Sequence, residues 1–163
     1  MNKLMDMMTI KVNHNTVSLR NVEEKDWKFI LDLRNEEDVR LVCNDTSIID
    51  FDTHRKYMKM LQEDKDSFQW IITFNDQDVG HIKVDRGMFG YMLKTNFRGK
   101  GIIKIASDTA FNELRKIGVK RLKGSVRIGE CIQLDVAKKM GFMQTEIITK
   151  EGRPYLIMME KIL

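Results

Sequence analysis

The sequence predicts a single α/β domain of the α+β kind, with a central, mixed but mostly antiparallel sheet and helices on both faces. Three observations predict it. Residues 68–95 hold three apolar runs separated by two short polar turns, the pattern of consecutive antiparallel strands. A glycine-broken stretch, Arg98-Gly99-Lys100-Gly101, leads straight into a long amphipathic helix. The overall order, β-α-α-β-β-β-α-β-α-β-β, sets helical segments before and after the central strands, and all 163 residues form one domain.

In chain order, Val12, Val17 and Leu19 alternate around a break at Asn13-His14-Asn15, which reads as a short strand or hairpin leading into the first strand. Trp27, Ile30, Leu31 and Leu33 then fall at helical intervals behind an acidic start, and the helix breaks near Arg34-Asn35 and resumes. A further helix covers residues 50–64, with Asp50 or Asp52 as its cap. The three strands follow at 68–74, 79–85 and 88–95, with turns at 75–78 and 86–87. After Gly101, Ile102, Ala106, Ala110 and Leu114 recur every four residues, Lys104, Asp108 and Asn112 fill the other face, and Gly118 ends the helix. Residues 121–128 form a strand, 129–142 a helix and 143–163 a hairpin around Glu151-Gly152.

Composition narrows the function classes. The formal charge of +4 suits a small anionic ligand and is too weak and scattered for nucleic acid. Cys43 and Cys131 lack metal-like or redox-like spacing and read as free thiols in a reducing compartment, with no metal site implied. The N-terminus has no signal-peptide pattern, and no run approaches the ~20 apolar residues of a membrane span. The expectation is a soluble, cytoplasmic protein, a monomer or homodimer, with no membrane partner. Twelve methionines read as adaptable core filler.

Two glycines and two cations at a helix entrance make a seat for an anion. First-turn N–H groups lack partners, the helix dipole is positive there, and glycine lets a ligand approach the backbone. A Walker-type loop requires G-x-x-x-x-G-K-[ST], which is absent. A dinucleotide turn requires a third glycine where Lys104 stands, and a β-α-β opening. The other reading is a plain helix entrance with solvated cations.

Arg98-Gly99-Lys100-Gly101-Ile102-Ile103, lying between a strand and a long helix, resembles the pyrophosphate-binding signature of the GNAT family of acetyl-CoA-dependent N-acetyltransferases. The resemblance extends over residues 17–163 and includes "GYMLKTNFRGKGI", "KKMGF" and the closing strand pair. It implies the GNAT fold, acetyl-CoA as cosubstrate without a metal, and a small-molecule amine as acceptor. It also implies that the family's strands 4 and 5, here 88–95 and 122–127, splay apart, with the pantetheine arm beside the main chain of Met92, Leu93 and Lys94. Two departures stand out. Ile103 replaces a small residue, and Ala137 stands where many members carry the tyrosine that protonates the leaving thiolate.

Three residues are candidates for the acid–base work. His81 shares a strand face with Lys83 and Asp85, and a histidine near pKa ~6.5 suits a base, although it also suits a structural role in a polar sheet face. Glu130 opens the last helix, and Tyr91 lies on the strand before the glycine turn. His14 and His54 are expected on surface elements. Residues 19–61 further resemble the acceptor-binding front of bacterial amino-sugar-nucleotide acetyltransferases of the pseudaminic-acid pathway type, through Arg34-Asn35, Val39-Arg40 and His54. That resemblance implies arginines meeting a diphosphate. The alternatives are pairing of Arg34 and Arg40 with Glu36, Glu37 or Asp38, a peptide amine as acceptor, as in ribosomal-protein N-terminal acetyltransferases, or a module that binds acetyl-CoA without turnover.

Overall fold

A computed structural model describes the backbone of residues 8–12 and residues 15–163 in full. Its described residues build one sheet of eight strands in the order β1-β2-β3-β4-β5-β6-β8-β7. The strands are β1 (Met8–Val12), β2 (Asn15–Asn21), β3 (Phe68–Phe74), β4 (Gln77–Asp85), β5 (Met88–Leu93), β6 (Arg121–Arg127), β7 (Met143–Lys150) and β8 (Arg153–Ile162). Between β2 and β3 run α1 (Trp27–Asn35), α2 (Glu37–Arg40) and α3 (Phe51–Glu63). The helix α4 (Ile102–Lys116) joins β5 to β6, and α5 (Cys131–Lys139) joins β6 to β7.

The local chemistry accounts for most boundaries. The first helix breaks at Glu36, which leaves helical geometry with ψ of 135°, before α2 resumes. Asp50 caps α3 by accepting from the Thr53 N–H at 2.9 Å. The turn after β3 is tighter than the sequence suggests. Asn75 and Asp76 alone take positive φ, so two residues close it and β4 begins at Gln77. The strand β5 stops at Leu93, because residues Thr95–Phe97 wind into a 3-10 turn. Asn13 and His14, two of the three residues of the expected first turn, lie outside the described residues.

Alternation sorts the two cores. Trp70, Ile72, Ile82 and Phe89 face α4 and α5 and pack with Ala106, Ala110, Phe111 and Phe142. Ile71, on the opposite face, packs with Trp27 and Ile30 of α1 and Met58 and Leu61 of α3. Ile71, His81 and Met92 are cross-strand neighbours, so His81 belongs to the α1/α3 face.

Every strand pair is antiparallel except β5 and β6, which run parallel and meet at one register pair, Met88 with Lys123. The Lys123 N–H donates to the Gly87 carbonyl at 2.9 Å, and beyond that point the strands diverge, as the family resemblance implies. No helix among the described residues is long and apolar enough to cross a membrane.

One ion cluster fixes the approach of α1 to the sheet. The Arg20 guanidinium meets both oxygens of Asp26, each at 2.8 Å, and reaches Asp78 at 2.8 Å. The Glu23 N–H also donates to Asp26 at 2.8 Å. Burial alone would raise the Asp26 pKa, but Arg20 and the Glu23 N–H bring it below the usual carboxylate value. Because Asp26 is buried, Arg20→Met leaves a carboxylate uncompensated and is expected to cost about 3–5 kcal/mol. Urea denaturation checks this, and Arg20→Met combined with Asp26→Leu should recover part of the loss.

Candidate active site

The glycine turn builds an open helix N-terminus. Gly99 and Gly101 take φ of 71° and 75°, a region that L residues with a side chain rarely occupy, and no heavy atom lies within 4 Å of where a Cβ would stand on either. Gly101 is the N-cap of α4 and supplies no side-chain hydrogen bond, so the N–H groups of Ile102, Ile103 and Lys104 face outward without an intrahelical acceptor. Ile102 is buried and Ile103 packs partly buried against the same core, so the bulk of Ile103 is taken up by packing. Lys100 is exposed, with its Nζ 5.2 Å from the centre of the Phe97 ring. These features fit an anionic diphosphate.

Arg98 is engaged elsewhere. Its Nε donates to the Leu93 carbonyl at 3.1 Å and its Nη1 to Asp38 at 2.6 Å. Asp38 also accepts from the Thr95 hydroxyl at 2.8 Å, and first this bond, then Arg98, lowers its pKa. The residue predicted to add charge for the cofactor therefore ties α2 to the end of β5.

The splay leaves main-chain groups to be satisfied. The Lys94 N–H donates to Val79 at 2.8 Å, so Met92 and Lys94 turn their main chain toward β4. Alternation turns the main chain of Tyr91 and Leu93 into the gap instead. Of the three residues predicted beside the arm, Leu93 is the one that opens into it, and Tyr91 joins it. The Tyr91 ring lies on the α4 side of the sheet, 6.2 Å from Phe89, and burial raises its pKa.

A strap of residues 41–50 bridges the splayed ends. On one side Arg127, at the end of β6, donates to the carbonyls of Leu41 at 2.6 Å and Cys43 at 3.4 Å. Asn44 donates to Ser125 at 3.0 Å, and the Tyr155 hydroxyl donates to the Asn44 carbonyl at 2.8 Å. On the other side Arg34 donates to the Asp45 carbonyl at 2.5 Å and Arg40 to the Thr46 carbonyl at 3.0 Å. Asn35 pairs with both main-chain groups of Ile49, at 2.8 and 2.9 Å. Arg34, Asn35 and Arg40 are thus strap anchors. Neither arginine pairs with Glu36, Glu37 or Asp38. The Arg34 Nη1 remains buried without a partner.

Two histidines depart from expectation. His54 is not on the surface. It is 5% exposed, its Nε2 is buried without a partner, and burial lowers its pKa, helped by the charge of Lys83. His81 does share a face with Lys83 and Asp85, but that face lies under α1 and α3, and His81 is 2% exposed with Nε2 3.3 Å from the Gln69 Oε1. Burial, then the charges of Lys83 and His54, push its pKa down to about 3. A general base for an amine works best near the operating pH, and His81 is far below it. Glu130 is the half-buried N-cap of α5, its N–H bonded to the Arg127 carbonyl at 3.1 Å, just past the open end of the splay. Ala137 is buried in the core.

Sequence reasoning missed a polar chain on the same face. Lys83 donates to the Tyr57 hydroxyl at 2.7 Å, and that hydroxyl donates to Asp85 at 3.0 Å. The period-2 grouping of His81, Lys83 and Asp85 pointed to the face but not to the tyrosine, which comes from α3. Among the described residues no group of three or more His, Cys, Asp or Glu side chains gathers as a metal site would require.

The family profile of the acetyltransferase (GNAT) domain matches residues 16–143. The chain belongs to the GNAT family. It is an acetyl-CoA-dependent N-acetyltransferase by that membership. No curated protein matches the sequence. Among solved structures, the spermidine N-acetyltransferase of Vibrio cholerae, in complex with CoA and spermine, aligns with a TM-score of 0.75 at 17% identity, over 90% of this chain and 95% of that one. A ribosomal L7/L12 alpha-N-protein acetyltransferase in complex with coenzyme A aligns at 0.78 and 16%, over 95% and 98%. The ribosomal-protein-alanine N-acetyltransferase of Brucella melitensis aligns at 0.74 and 20%, over 89% and 99%. At these identities the likeness is one of fold.

Two outcomes test the site of this GNAT protein. Gly101→Val should weaken acetyl-CoA binding at least about tenfold by calorimetry, because a side chain enters the N–H cradle and the positive φ strains the backbone by roughly 1–2 kcal/mol. Gly118→Ala, with φ of 90° at the far end of α4, is the control that adds similar strain and should leave affinity unchanged. The second outcome concerns pH. The unfolded chain protonates its histidines near 6.5, while folded His81 resists down to about 3, so the unfolded state binds more protons between those values. This contribution is complete above about pH 6.5 and is lost as pH falls through that window. Tm should drop by several degrees from about pH 7 to pH 5, and His81→Gln should flatten the drop, leaving only the share of His54.

Proposed function

We propose that this GNAT enzyme acetylates the primary amine of an acceptor carrying negative charge, with an amino-sugar nucleotide as the preferred substrate. The acetyl thioester is supplied by acetyl-CoA. The N–H groups of residues 101–104 and the ammonium of Lys100 would hold its pyrophosphate, and the main chain of Tyr91 and Leu93 would pair with its pantetheine arm as with an added strand. The acceptor would enter from the α1/α3 side, under the strap, so that the two reactants meet through the splay.

The observation that carries the choice of acceptor is the Arg34 Nη1, buried and without a partner, in a wall where Arg34 also acts on the half-buried Lys83. A guanidinium N–H left bare in a protein interior is costly unless a ligand accepts from it, and carboxylate or phosphate oxygens suit it best. A polyamine would bring further positive charge against Arg34.

Steady-state kinetics on three acceptors tests the proposal: a UDP-linked amino sugar, a seryl peptide and spermidine. The sugar nucleotide should have the highest kcat/KM, and Arg34→Gln should raise its KM roughly 10–100-fold with acetyl-CoA affinity unchanged, since a contact made equally in ground and transition states is lost. Faster turnover of spermidine would overturn the anionic acceptor. Preference for the peptide would move the assignment to N-terminal acetylation, and acetyl-CoA binding with no turnover of any of the three would make the chain a binding module.

A further inference from the structure

The face of the sheet under α1, α3 and the strap holds a lysine that the cofactor site and the strap do not use. Lys83 lies on β4 opposite Gly90 of β5. The lysine arm runs over Gly90, where a Cβ would stand in ordinary contact, 3.6 Å from the Lys83 Cε. The arm ends 4.8 Å from the centre of the Tyr57 ring and donates to the Tyr57 hydroxyl at 2.7 Å. The Tyr57 hydroxyl donates to Asp85 at 3.0 Å. Asp85 in turn meets the exposed Arg86 at 3.1 Å, so the chain of hydrogen bonds runs from the interior to the surface.

We propose that Lys83 is the base that removes a proton from the acceptor's ammonium group, and that Tyr57 and Asp85 conduct that proton to solvent. The inference rests on the acetyl-transfer reading, and it gives the enzyme the base that His81 cannot provide. The balance is as follows. The acceptor arrives as an ammonium and loses two protons in becoming an amide. The first passes to the neutral amine of Lys83. It leaves as Lys83 donates to the Tyr57 oxygen while the Tyr57 hydroxyl proton moves to Asp85 and on to water. The new C–N bond forms as the C–S bond of the thioester breaks, and the second proton ends on the coenzyme A thiolate. No redox step is involved.

The surroundings favour an uncharged lysine. Burial is the largest influence and lowers the Lys83 pKa. Asp85 on the same strand opposes this, and the Arg34 charge at the end of α1 reinforces it. The other titratable groups facing this region are Cys43 of the strap, His54 and Tyr57 of α3, and His81 of β4. Both histidines are themselves held toward the neutral form, and the Tyr57 pKa is raised by burial and by Asp85, so it stays a proton-bearing link.

Two measurements decide the matter. In the free protein, with lysine labelled with ¹³C at Cε, the Lys83 resonance, assigned by its loss in Lys83→Arg, should titrate below the range of the other lysines. Titration with the others overturns the proposal. In kinetics with whichever of the three named acceptors turns over fastest, Lys83→Arg and Lys83→Gln should both lower kcat by about 10²–10⁴-fold, with acetyl-CoA affinity and Tm retained. Arginine keeps the charge and the bond to Tyr57 but cannot shed a proton. An active Lys83→Arg enzyme therefore means that Lys83 only binds charge, and the proposal falls. The pH profile adds a signature that a structural role would not move. The wild-type kcat/KM should level off at lower pH, whereas in Lys83→Gln it should keep rising to the pKa of the acceptor's own amine. Coincident profiles overturn the proposal. The acceptor reading stands or falls on wild-type preference, and this inference on Lys83→Arg, whichever acceptor is preferred.

Discussion

The single bridge between β5 and β6 is the constraint on which the rest of the molecule depends. Two parallel neighbours that meet only at Met88 and Lys123 must then diverge, and divergence strips both strands of ladder partners. The chain meets that demand in two ways. Arg98 comes back to cap the Leu93 carbonyl, and the remaining groups face a gap wide enough for an extended ligand. The opening exists because of an unmade ladder, and the helix N-terminus of α4 sits at its edge because the loop after β5 has only one short turn before it.

The gap would be weak without something tying its two sides together. The segment containing α2 and the strap does this from the far face. Asp38 holds the β5 side through Arg98 and Thr95, and Arg127 holds the β6 side through the carbonyls of Leu41 and Cys43. Cations thus anchor main-chain oxygens across the mouth of the site, with Arg34, Asn35 and Arg40 fixing the strap from α1 and α2. Lys83 lies half-buried on the same face of the sheet. Its stem runs over Gly90, and Tyr57 of α3 takes the hydrogen bond of its head.

Much of the fold was legible because its signals are local. The four-residue repeat from Ile102 to Leu114, the stop at Gly118, the cap at Asp50 and the turns at Arg86-Gly87 and Glu151-Gly152 each depend on neighbours within a few positions. The glycine turn was equally plain, since positive φ at Gly99 and Gly101 is a property of the backbone there. Side-chain partners were not legible. Arg98 reads as a cofactor residue until Asp38, sixty positions earlier, is seen to hold it. His81 reads as a base on a polar face until α1 and α3 are seen to cover that face with Trp27, Ile30, Met58 and Leu61.

The sequence by itself determined the order and kind of the elements and the open helix entrance, because periodicity, caps and turn residues act through the backbone at short range, and the motif at Arg98–Ile103 carried the resemblance to the family. Only the tertiary structure decided which charges are spent and which are left. Arg34 and Arg40 turn to strap carbonyls, and Lys83 joins Tyr57 and Asp85, because a long side chain chooses among partners brought from distant segments. Burial then sets the proton affinity of each. That choice depends on distances and desolvation that exist only after the sheet has formed and α1, α3 and the strap have closed over it.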